Sequence, residues 1–198
     1  MLLVITSEQE LENEAILLNQ LFTNGLEVLH LRKPSLNIEG YRILLREIDT
    51  KYYKRIMIHE YHELCKEFNL KGIHLQEQPR IDLGDNLLIY VESFKSENFS
   101  VSSSFHEPEV LNNCNIKFDY HLLSPVFSSI SKQGYQGRGF DVNKINKSIV
   151  GMGGVNSETI PEVLKLGYKG IGVLGGVWNT DNPIESFVEI KTQYKSNT

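Results

Sequence analysis

Residues 122–137 read LLSPVFSSISKQGYQG, an apolar run followed by three serines, a lysine and two glycines. Hydroxyls and a cation directly after a buried strand suit an oxyanion. Serine donates to phosphate oxygens and lysine adds a point charge. A solvated loop of the same composition is the plainer alternative. Two further stretches, GMGGV (151–155) and GVLGGV (172–177), each put a glycine pair between an apolar strand pattern and a helical one. Glycine lets a ligand approach the backbone, and a following helix start offers free N–H donors. Gly153, Gly154, Gly175 and Gly176 are therefore candidate phosphate contacts, against the simpler reading as tight turns.

Other chemistry-bearing residues recur in the same position, just after an apolar run. They are His30, Arg32 and Lys33; His59 and Glu60; His74, Gln76 and Glu77; Ser102, Ser104 and His106. Two cations in succession can clamp a diphosphate or sit in water. Isolated His62 and His121 read as helix-face or packed residues, and His74 lies inside a strand pattern. Histidine exchanges protons near neutral pH, which makes His106 and His59 candidates for proton transfer.

These residues are far apart in sequence, so the elements that carry them must converge. Short strand patterns at LLVIT (2–6), LEVLHL (26–31), RIMI (55–58) and KGIHL (71–75) alternate with helical spacing over 8–22, 38–48 and 60–68. Ser7 is the expected N-cap of the first helix and Gly25 its stop. Between 86 and 103, NLLIYVE and NFSVSS compete as strands. A helix near 107–111, a strand DYHLL, a strand SIVGM, a helix SETIPEVLKL, a strand GIGVL and a helix over 183–195 complete the pattern. About eight β-then-α units imply a parallel sheet, and eight close naturally into a (β/α)8 TIM barrel. A doubly wound open sheet is the rival, but no G-x-G-x-x-G follows the first strand. In a barrel the residues that follow the strands come together on one rim, the C-terminal face.

The chain has 198 residues, 40% of them hydrophobic, which fits one domain spanning 1–198. A net charge of −5 argues against a nucleic-acid partner. No run approaches the ~18 apolar residues of a membrane span. The N-terminal apolar run is too short for a signal peptide and lacks a basic flank. Cys65 and Cys114 have no metal-type spacing and read as reduced thiols. The expectation is a cytoplasmic protein acting on small phosphate or diphosphate molecules, and a homo-oligomer is compatible with the sequence.

DYHLLSPVFSSISK resembles the signature of the thiamine phosphate synthase family, roughly D-Y-[IV]-x-x-G-P-[VI]-F-x-T-x-T-K, with Ser129, Ser131 and Lys132 at the two threonines and the lysine. KGIHLQE resembles G-V-H-L-G-Q, and IMIHEYHEL sits where the family has I-I-N-D-R-x-D. HLRK matches Q-x-R at Arg32, and SVSSSFH matches G-x-S-x-H at Ser104 and His106. GMGGV and GVLGGV match the two phosphate loops. The resemblance covers nearly the whole chain. It implies a (β/α)8 barrel that joins hydroxymethylpyrimidine diphosphate to thiazole phosphate and releases pyrophosphate. It further implies Arg32, Lys132 and His106 as catalytic residues. His30, Lys33, His59, Gln76, Ser104, Ser129, Ser131 and the four glycines Gly153, Gly154, Gly175 and Gly176 are implied as substrate contacts. Mg2+ is implied on Glu60 and Glu77.

Several positions depart from that pattern. The family's Asn-Asp is His59-Glu60 here, and its second acidic position is Gln78, with Glu77 one residue earlier. His30 replaces a glutamine, Pro34 a lysine and Gly175 a serine. The related thiazole tautomerase-like proteins carry a histidine where Pro125 stands, so this loop sides with the synthases while the metal loops drift away. A tautomerase-like isomerase and a non-catalytic phosphate-ligand barrel remain the alternatives.

Overall fold

In the computed structural model, which describes residues 1–127 and 138–198, eight parallel strands close on themselves in sequence order. They are β1 (Leu2–Ile5), β2 (Val28–Leu31), β3 (Ile56–Ile58), β4 (Gly72–Leu75), β5 (Ser100–Phe105), β6 (Tyr120–Leu123), β7 (Ile149–Met152) and β8 (Gly170–Val173). Closure comes from β1 pairing β8, with Leu3 opposite Gly172. The expected (β/α)8 barrel is therefore the fold.

The strands are short, and their side chains alternate between two environments, as a period of two requires. Leu2, Val4, Leu29, Leu31, Ile56, Ile58, Ile73 and Leu75 belong to the large core between strands and helices. Leu3, Ile5, Val28, Met57, Tyr120, Leu122 and Val150 form a second, smaller cluster inside the barrel. Barrel interiors are usually filled with branched apolar side chains. Here the β2–β5 side departs from that rule, because His30, His59, His74 and Ser102 are all buried.

The helices are α1 (Glu14–Thr23), α2 (Ile38–Glu47), α3 (Glu63–Glu67), α4 (Glu77–Asp82), α5 (Leu87–Lys95), α6 (Pro108–Asn113), α7 (Ile160–Lys165), α8 (Gly175–Trp178) and α9 (Pro183–Ser196). The first helix begins later than its periodicity suggests. Asn13, in the left-handed region at φ 56°, stands at its N-cap, not Ser7. Gly25, at φ 94°, ends the helix as expected. NLLIYVE is α5, not a strand: Val91 and Phe94 are its buried residues, while Leu88 and Ile89 are exposed. NFSVSS supplies β5. No helix among the described residues is long and apolar enough to cross a membrane.

Candidate functional site

A cleft of about 400 Å3 opens at the C-terminal mouth, lined by Arg32 after β2, His59 after β3, Gln76 and Glu77 after β4, and Ser104 and His106 at the end of β5. Glu8, Ser124, Met152 and Leu174 complete the wall from the other loops. Six of the residues singled out in the sequence thus share one concavity, although they span residues 32 to 106. Parallel pairing brings this about by placing all the strand ends at one rim.

Most polar side chains of the cleft are held by neighbours. The Arg32 guanidinium pairs with Glu8, and its backbone N–H donates to Thr6 Oγ1 at 2.8 Å. The Glu77 carboxylate accepts from the His106 backbone N–H at 3.1 Å and sits 2.6 Å from His106 Nδ1. With Nδ1–H donated to Glu77, the Nε2 lone pair of His106 is left to accept. Gln76 Nε2 donates to Glu60 Oε1 at 3.1 Å, and Tyr41 donates its hydroxyl hydrogen to Glu60 Oε2. That hydroxyl in turn accepts from the Lys33 backbone N–H at 2.7 Å. Burial, then the Glu60 carboxylate, pushes the Tyr41 pKa up, so the phenol keeps its proton. Tyr41 was missed in the sequence, where it reads as an ordinary apolar position of α2.

Beneath the cleft lies a group of buried histidines. His30 Nδ1 is 2.9 Å from His59 Nε2, and His30 Nε2 is 2.6 Å from the Tyr120 hydroxyl. His74 sits between Ser102 Oγ at 2.8 Å and Ser104 Oγ at 2.7 Å. Burial holds the His30 pKa down to about 3. Burial first, and the neighbouring histidines second, lower His59 and His74 well below the ordinary histidine value. All three rings are neutral. His59 Nδ1 is buried with no hydrogen-bond partner among the described residues. Such an orphan ordinarily costs about 1–3 kcal/mol. His62 braces this floor from outside, Nδ1 at 2.8 Å from the Tyr90 hydroxyl and Nε2 at 3.1 Å from the His59 carbonyl.

Other expected contacts fall elsewhere. Lys33 is fully buried: its ammonium pairs with Glu14 at 2.7 Å and donates to the carbonyls of Ser7, at 3.0 Å, and Gln9. It therefore serves the scaffold and does not reach the cleft. His30 is in β2 itself and fully buried, below the rim. Gly175 and Gly176 line a neighbouring cavity of about 250 Å3. Met152 and Leu174, the residues just before the two glycine pairs, are the ones that face the cleft. Ser129, Ser131 and Lys132 lie outside the described residues.

The glycine loops are close-fitting. A Cβ at Gly176 would stand 2.7 Å from the Val155 carbonyl oxygen, so the loops after β7 and β8 touch. Gly153 has φ +90°, and a Cβ there would lie 3.0 Å from Pro125 Cα. Gly153→Ala is expected to cost about 1–3 kcal/mol through that backbone conformation, read as a lower urea midpoint. An unchanged midpoint would show that the loop relaxes freely.

A family model described as thiamine monophosphate synthase matches residues 2–177. A curated thiamine-phosphate synthase of Dictyoglomus turgidum is 23% identical over 185 residues, covering 87% of this chain and 80% of its own. A solved structure described as thiamine phosphate pyrophosphorylase from Bacteroides thetaiotaomicron is 30% identical with a TM-score of 0.78, covering 100% of this chain and 98% of its own. A pyrophosphorylase structure from Pyrococcus furiosus, 20% identical with a TM-score of 0.76 and covering 99% and 96% of the two chains, shares the fold. With eight strands closed around a polar mouth and a match from the first strand past the last, the chain belongs to the thiamine monophosphate synthase family.

Proposed function

We propose that this chain is a transferase that joins hydroxymethylpyrimidine diphosphate to thiazole phosphate, making thiamine phosphate and releasing pyrophosphate. The observation that carries the reading is the single cleft shared by Arg32, Ser104 and His106, which match the family's motifs, with Gln76 and Glu77, which stand in its G-Q segment.

In this reaction the exocyclic C–O bond of the pyrimidine breaks, and its electron pair leaves with the diphosphate. The thiazole nitrogen then donates its lone pair to the cationic methylene to form the C–N bond. The protein's main task is to stabilise the leaving diphosphate in a partly dry site. Arg32 serves it from the β2 end. The guanidinium has five N–H donors and can give one edge to phosphate while Glu8 holds another. The Ser104 hydroxyl and the Gln76 amide orient the pyrimidine. His106, fixed by Glu77, offers Nε2 as a proton acceptor. Lys132, Ser129 and Ser131 are assigned to the diphosphate by their match to the motif alone. Gly153, Gly154, Gly175 and Gly176 are assigned to the thiazole phosphate on the same basis.

Glu60 and Glu77 are the right donor class for Mg2+, which takes one or two carboxylates together with substrate phosphates. Each carboxylate keeps lone pairs beyond the bonds it accepts from Tyr41, Gln76 and His106. When bound, Mg2+ would neutralise charge on the diphosphate.

Purified protein given both substrates and Mg2+ should release pyrophosphate in step with thiamine phosphate. No pyrophosphate above background at high enzyme concentration would reject the assignment. Arg32→Ala is expected to lower kcat roughly 10–100-fold, matching ~1.5–3 kcal/mol for a charged hydrogen bond. Turnover at the wild-type rate would remove Arg32 from the leaving-group site.

A further inference from the structure

We propose that His30, His59 and His74 form a binding site for a zinc-class divalent transition metal in the floor of the cleft. The site is separate from the carboxylates assigned to Mg2+, and it stands whether or not the synthase reaction does.

The three rings come from β2, the residue after β3, and β4, which are neighbouring strands of the barrel. Each offers one nitrogen, and these nitrogens all lie within 4.8 Å of one another. The nearest facing pair, His30 Nδ1 and His59 Nε2, is 2.9 Å apart. A tetrahedral zinc ion with Zn–N of ~2.0–2.1 Å needs nitrogens roughly 3.3 Å apart. That spacing lies between the 2.9 Å of the facing pair and the 4.8 Å that bounds the group. Neutral imidazoles suit Zn2+, Co2+, Ni2+ or Cu2+, while Mg2+ takes oxygen ligands.

The surroundings resemble those of a metal centre. A histidine that ligates through one nitrogen ordinarily hydrogen-bonds through the other, which fixes the ring. His30 meets this condition through Nε2 and the Tyr120 hydroxyl. His74 has a serine on each side, so whichever nitrogen turns to the metal, the other keeps a hydroxyl acceptor. Hydrogen bonding alone does not satisfy the group. The run from Tyr120 through His30 to His59 ends at His59 Nδ1, which has no partner among the described residues. An ion held by His30 Nδ1 and His59 Nε2 takes the place of the ring-to-ring hydrogen bond, and His59 Nδ1 stays without a partner among the described residues. Three protein ligands leave a fourth position for water or another small ligand. His59 and Ser104 line the cleft, so that position is approached from the mouth.

The test uses the full chain, stripped with a chelator and titrated with Co2+. One Co2+ should bind per chain and give the intense visible bands of a tetrahedral nitrogen-ligated ion. Zn2+ should displace it, and a large excess of Mg2+ should not. Tyr120→Phe, which keeps the ring and removes the hydroxyl, should weaken Zn2+ binding by roughly 10–100-fold without changing the far-UV circular dichroism. His74→Gln should abolish stoichiometric binding. Absence of the cobalt bands, together with no zinc retained after desalting, would overturn the site. So would wild-type zinc affinity in both Tyr120→Phe and His74→Gln, because the ion would then lie elsewhere.

Discussion

Lys33→Ala is expected to lower the unfolding free energy by about 3–5 kcal/mol, the usual cost of removing one partner of a buried ion pair. A domain of this kind has only about 5–15 kcal/mol in total. Lys33 is fully buried and Glu14 nearly so, with 2.7 Å between ammonium and carboxylate. The ammonium also takes the carbonyls of Ser7 and Gln9, either side of Glu8, the residue that pairs with Arg32. Truncation leaves those acceptors and Glu14 without their donor. Burial already raises the Glu14 pKa, and the Lys33 hydrogen bond is the largest opposing influence. In the variant the carboxyl takes a proton more readily. Since its folded pKa then lies further above the unfolded value, the variant loses stability as pH rises through that folded value. Urea denaturation at a series of pH values upward from the ordinary carboxylate range measures both effects, with Lys33→Met as a control that keeps the aliphatic stem. A loss under about 1 kcal/mol would show that water reaches the pair.

Chelator-treated wild-type protein should lose stability as pH falls below about 6.5. His30 has a folded pKa near 3 against 6.5 when exposed, so between those values the unfolded chain binds a proton that the folded chain refuses. Each pH unit in that window costs about 1.4 kcal/mol, which makes roughly 2 kcal/mol from His30 alone at about pH 5. His59 and His74 act in the same direction, since burial lowers both. The other charges bearing on them, Arg32 and His62, also disfavour a proton. The urea midpoint at about pH 5 should fall well below that at about pH 7.5. Equal midpoints would mean that the three rings titrate freely in the fold.

Much of this architecture was legible in the sequence because most strands are short apolar runs, β5 with its serines being the exception, and the crossovers between them are periodic. Residues 86–103 were not, for a physical reason. LLIYV is apolar and β-branched enough to read as a strand, yet in α5 Val91 and Phe94 are the buried residues, Leu87 and Tyr90 pack against the core at its edge, and Leu88 and Ile89 are left exposed. A local pattern cannot say that the chain at this point must cross between two parallel strands. The cleft residues were found by their place after each strand, a rule that needs no contact information. The same rule put His30 on the rim, although it lies one step deeper. The signal for that depth was present: in VLHL and GIHL the histidine is two places from a small or branched residue and flanked by apolar residues that face the helices. Lys33 gave no such signal, because its partner, nineteen positions earlier, is specified only by the folded chain.

Closure of the barrel also bears on how the protein is made. Leu2, Leu3 and Val4 lie in register beside Ile171, Gly172 and Val173, some 170 residues away, in the parallel pairing that closes the barrel. Until β8 is synthesised, the growing sheet has two bare edges, and such edges recruit other strands. A ribosome stalled between β7 and β8 should therefore hold a sticky intermediate that depends on chaperones, while release of the last two helical turns should matter far less.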